Sequence, residues 1–82
     1  MPVIAEFDGI RVEIYYADHP PPHFHVRYAG VIAQMGIASL DVLAGSLPVP
    51  ILRKVRRWAR ANQAALALNW SKAQSAQPLD TL

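Results

Sequence analysis

Asp8-Gly9-Ile10-Arg11-Val12-Glu13-Ile14-Tyr15-Tyr16 is the stretch on which the fold turns. Asp-Gly marks a two-residue hairpin turn, because both central positions of that turn need positive φ. From Ile10 onward the pattern alternates. Ile10, Val12, Ile14 and Tyr16 face one way, and Arg11, Glu13 and Tyr15 the other. A period of two with one apolar face predicts a half-buried strand. Upstream, the short apolar run Val3 to Phe7 is its natural partner. A two-residue turn sets Glu6 opposite Arg11, a favourable cross-strand pair.

Downstream, residues 17 to 22 form a loop stiffened by Pro20, Pro21 and Pro22, which hold φ fixed and offer no N–H. His23 to Tyr28 then alternates again, with Phe24, Val26 and Tyr28 on one face and His23, His25 and Arg27 on the other. Ala29-Gly30 reads as a turn and Val31 to Ile37 as a fourth strand. Residues 40 to 43 could be a short strand or a turn. Two registers are open for the second strand against the third. One sets Arg11 against Arg27. The other sets Glu13 against Arg27 and Tyr15 against His25, and is preferred because like charges directly opposite cost energy. Gln34 is expected opposite His25.

The second half reads as helix. Ser46 is a candidate N-cap, and Pro48 and Pro50 fit only a first turn. Ile51, Leu52, Val55, Trp58, Ala59, Leu66 and Trp70 recur at helical spacing. Asn62 either caps a second helix or kinks one long one. The expectation is an α+β fold: a four-stranded antiparallel meander followed by one or two C-terminal helices packed on one face. One domain spans residues 1–74, and 75–82 is a flexible tail. The other sheet face stays open and carries Glu6, Arg11, Glu13, Tyr15, His23, His25, Arg27 and Gln34.

Composition narrows the function classes. Eighty-two residues make one small domain, whose limited core makes a homodimer a reasonable aid to stability. At 52% hydrophobic residues the chain is not disordered, and with no cysteine it has neither disulfides nor a thiolate metal site. No signal peptide or membrane span is read, and a cytoplasmic setting is expected. The net charge is only +2, yet six of the eight cations lie between Asp41 and Asp80, where no acid occurs.

All three histidines fall in Asp18-His19-Pro20-Pro21-Pro22-His23-Phe24-His25. His23-x-His25 on a strand points two imidazoles the same way. With His19 or Asp18 from the loop they could hold a divalent metal such as zinc, which needs three protein ligands at a catalytic site. Alternatively, His25 or Glu13 as base, His23 as acid and an arginine on phosphate could cleave RNA without a cofactor. The third reading is structural: Asp18 and His19 tie the loop backbone, and His23 and His25 fix the loop against the strand or form a dimer contact. Separately, Arg53, Arg56, Arg57 and Arg60, with Lys54 beside them, form a stripe away from Ile51, Leu52, Val55 and Trp58. This is either a nucleic-acid-binding ridge or a solvated helix face. The two tryptophans read as core.

Asp18-His19, Pro21-Pro22-His23-Phe24-His25, Tyr28, Gly30, Gly45-Ser46-Leu47-Pro48, Trp58, Leu66 and Asn69-Trp70 together resemble the DUF4160 family of small bacterial proteins. The resemblance spans nearly the whole chain. It implies a binding or interaction module, one half of a two-gene, toxin–antitoxin-like pair with a small neighbouring DUF2442-like protein. It implies no chemistry. The arginine-rich helix departs from the family pattern, in which many members carry glutamates here.

Overall fold

The computed structural model describes residues 3–82; residues 1 and 2, at the start of the expected domain, lie outside the described residues. The chain runs β1 (Val3–Phe7), β2 (Ile10–Glu13), β3 (His23–Tyr28), β4 (Val31–Gly36), β5 (Val42–Gly45), α1 (Val49–Ala61) and α2 (Gln63–Gln74). The strands form one antiparallel meander in the order β1-β2-β3-β4-β5. The α+β reading and the C-terminal helices hold, but among the described residues the sheet has five strands and not four. The fifth is an edge strand with little burial contrast along it, so period-two patterning had nothing to report. Its last residue must be glycine: Gly45 has φ +74, and a Cβ there would collide with the Ile32 carbonyl oxygen.

Both predicted hairpin turns form. Asp8 and Gly9 have φ of 51° and 76°, and Ala29 and Gly30 of 47° and 83°. Glu6 lies opposite Arg11 and Gln34 opposite His25, as expected. The preferred β2–β3 register does not form. Arg11 lies opposite Arg27, and Glu13 opposite His25. Each arginine reaches its own carboxylate: Arg11 Nε lies 3.3 Å from Glu6 Oε1 and Arg27 Nε 2.8 Å from Glu13 Oε1. Arg27 therefore meets Glu13 diagonally, and the direct like-charge opposition is relieved. The register is set instead on the other face, by the buried pair Val12–Val26 and by Ile10 against the partly buried Tyr28.

On that face Ile10, Val12, Phe24, Val26, Ala33 and Met35 are buried. α1 covers it through Val55 and Ala59, and the Trp58 ring centre sits 5.3 Å from that of Phe7 and 6.4 Å from that of Phe24. The helix begins at Pro48 without a side-chain cap, so Ser46 is not the cap. Pro50 in the first turn has no N–H to satisfy, and the Ile51 and Leu52 amides both donate to the Pro48 carbonyl at 2.9 Å. Asn62 breaks the helix in two and donates from its side chain to the Trp58 carbonyl at 2.8 Å.

The segment expected as a flexible tail makes specific contacts. The Asp80 amide donates to Asn69 Oδ1 at 2.8 Å, Asn69 Nδ2 donates to the Asp80 carbonyl at 3.0 Å, and the Leu82 amide donates to the Ile4 carbonyl at 2.7 Å. Leu79 and Leu82 pack partly buried against the core. Asn69 is fully buried, and its amide is satisfied by this segment.

Candidate metal centre

His23 and His25 project from the same side of β3, as the alternation required, but they do not stand in the open. They are 6% and 7% exposed, and Glu13 opposite His25 is 0% exposed. The expected open face is closed at this end by two elements. α2 brings the Trp70 ring centre to 5.2 Å from that of His23. The proline loop folds back so that Asp18 Oδ2 lies 3.0 Å from His23 Nε2 and 3.1 Å from His25 Nε2. The loop is itself anchored: Gln74 Nε2 donates to the Asp18 carbonyl at 3.2 Å, and the His19 amide donates to Asp18 Oδ1 at 2.8 Å.

Asp18, His23 and His25 each offer one ligand atom, and these atoms all lie within 4.8 Å of one another. His19 is exposed and outside this set; its part is the backbone amide on Asp18. Burial alone pushes the Asp18 carboxyl up. The hydrogen bond from His25, the His19 amide and the charges of His23 and His25 outweigh it and hold the carboxyl below its usual range.

The His23 ring has acceptors on both sides. Its Nδ1 lies 2.8 Å from the Pro21 carbonyl oxygen, which can only accept, so Nδ1 carries a proton. Its Nε2 faces the Asp18 carboxylate. Both contacts are satisfied either by a ring protonated on both nitrogens or by a neutral ring whose Nε2 lone pair meets a cation. The second state is the usual one for a metal-bound histidine, with the far nitrogen donating to a carbonyl or carboxylate.

The His25 ring is held by stacking. Tyr15 lies over it with centres 4.0 Å apart and planes 24° apart. Tyr15 Oη donates to Glu13 Oε1 at 3.0 Å and accepts from Arg27 Nη2 at 3.1 Å. Those contacts with Glu13 and Tyr15 hold the Arg27 guanidinium above its ordinary range. Glu13, the proposed alternative base, is thus sealed, with Oε1 engaged twice; among the described residues Oε2 has no hydrogen-bond partner.

A model of the family described as a domain of unknown function, DUF4160, matches residues 9–71. The chain belongs to the DUF4160 family. No curated protein and no solved structure matches it. The matched stretch of this DUF4160 chain contains Asp18, His23, His25 and Trp70.

Sequence reasoning found Asp18, His23 and His25, and the structure brings them together. It missed two parts. Trp70 was read only as core, and no local pattern ties it to His23. The Pro21 carbonyl is backbone, and only the folded loop aims it at a ring. Arg53, Lys54, Arg56, Arg57 and Arg60 lie elsewhere, on α1. Arg56 Nε donates to the Leu40 carbonyl at 3.1 Å, and Lys54 Nζ lies 3.5 Å from Asp8 Oδ2.

Proposed function

We propose that this DUF4160 chain is a small binding module whose resident ligand is a divalent first-row transition metal, with zinc the first choice. The observation that supports it is the convergence of two Nε2 atoms and a carboxylate oxygen while Pro21 holds His23 in the tautomer that frees Nε2. Zinc takes nitrogen and oxygen ligands at about 2.0–2.2 Å, which sets tetrahedral ligand atoms roughly 3.4 Å apart. The two Nε2–Oδ2 separations, 3.0 and 3.1 Å, are within a few tenths of an ångström of that spacing. Two imidazoles and one carboxylate also suit iron, nickel and cobalt, so the identity of the ion is read from competition and not from geometry. A fourth position falls to water or to a group from a partner.

Metal analysis of untagged protein, followed by zinc titration into chelated protein, tests this. The expected result is stoichiometric metal, with affinity falling at least tenfold in His23→Ala and in His25→Ala. His19→Ala should bind as the parent does. A parent protein that takes up no metal on titration, or a His25→Ala variant of undiminished affinity, overturns the reading. In that case Asp18 serves as the acceptor that ties the two rings to the proline loop, and the cluster is structural.

A further inference from the structure

The stripe on α1 separates into engaged and free cations. Arg56 is drawn onto the Leu40 carbonyl and Lys54 lies against Asp8. Arg53, Arg57 and Arg60 are exposed, and among the described residues none has an acidic partner or a side-chain hydrogen bond. They stand four and three residues apart, so they share one side of the helix over roughly 10 Å of its axis. No acidic residue occurs between Asp41 and Asp80 to neutralise them.

Beside this stripe is a cleft of about 330 Å³ lined by Phe7, Asp8, Lys54, Arg57, Trp58 and Ala61, in which the Asp8 carboxylate is engaged by Lys54 at 3.5 Å. Phe7 and Trp58 are only half-buried, and their tilted rings form its apolar wall. Arg57 belongs to both the stripe and the cleft. An aromatic wall with a cation at its rim, continuing into a row of unpaired guanidinium groups, fits a flat base joined to a run of phosphates. Duplex nucleic acid would use the stripe but not the cleft, because its bases are stacked inside. An acidic peptide would likewise leave the aromatic wall unused.

We propose that the outer face of α1 binds single-stranded nucleic acid, with phosphates on Arg53, Arg57 and Arg60 and a base against Phe7 and Trp58. This is independent of the metal centre, which lies on the other side of β3.

The test is fluorescence anisotropy with a labelled oligothymidylate of about 12 nucleotides, a usual single-strand site size. Three phosphate contacts predict a slope of log affinity against log salt of about −2, at roughly −0.7 per contact. The variant Arg53→Gln/Arg57→Gln/Arg60→Gln should lose at least tenfold in affinity and most of the slope, with an unchanged melting temperature. Arg56→Gln should keep the slope. Trp58→Leu should weaken binding several-fold at constant slope, and an Arg57→Lys variant checks the cleft without touching its wall: the slope stays while affinity falls. Equal affinity for the duplex of the same sequence, equal affinity for polyglutamate, or an equal loss of slope in Arg56→Gln would overturn the proposal.

Discussion

The outer surface of β2–β3 and the outer surface of α1 are both polar, and they are built in opposite ways. On β2–β3 almost every charge is engaged by another: Asp18 by two imidazoles, Glu13 by Arg27 and Tyr15, Arg11 by Glu6. At its centre His23, His25 and Glu13 are buried, while the Arg11–Glu6 pair at its edge is exposed. On α1 three arginines have no acidic partner among the described residues and lie in solvent. A buried charge must be paired, because an unpaired one costs several kcal/mol. An exposed charge needs no partner, since water screens it. Hence side chains on the sheet are held at fixed angles suited to an ion, while those on the helix stay free to meet a polyanion.

Five substitutions probe that contrast. Trp70→Ala should have the largest effect, about 3–5 kcal/mol of stability by denaturant unfolding, since it removes a buried aromatic and opens the wall against His23. Loss of under ~1 kcal/mol would mean that α2 does not close the histidine site. Next comes a pair on the sheet. Arg27→Met strands the carboxylate of Glu13, so the melting temperature should fall clearly. Arg11→Met removes only an exposed pair and should shift stability by no more than about 1 kcal/mol. Equal shifts in the two would remove the distinction between buried and exposed partners. The smallest effects belong to the helix: Arg56→Gln should lose about 1 kcal/mol with its hydrogen bond to Leu40. Arg57→Gln should stay within about 0.5 kcal/mol. A reversal would show that the free and engaged cations have been exchanged.

Reading the chain alone recovered the hairpins, the side of β3 taken by His23 and His25, and a helical second half with a cap or a kink at Asn62, which the structure resolves as two helices. These are local: two-residue turns demand positive φ, and alternation is fixed by the pleat. The β2–β3 register went the other way because a rule about directly opposite residues undervalues the reach of a long arginine. Arg27 satisfies Glu13 from a diagonal position. The strand Val42–Gly45 was indistinct because an exposed edge has little contrast between its faces. Residues 75–82 looked loose because their polar composition does not reveal that the buried side chain of Asn69 is satisfied by Asp80.

Local chemistry by itself determined that His23 and His25 would leave the strand together, beside a carboxylate on a stiff loop. Tertiary structure alone decided that they would be enclosed, that Asp18 Oδ2 would meet both, and that His19 would stay outside. The reason is range: side-chain direction follows from the backbone over two residues, whereas enclosure depends on Trp70 and Gln74, far along the chain, arriving at the same end of the sheet.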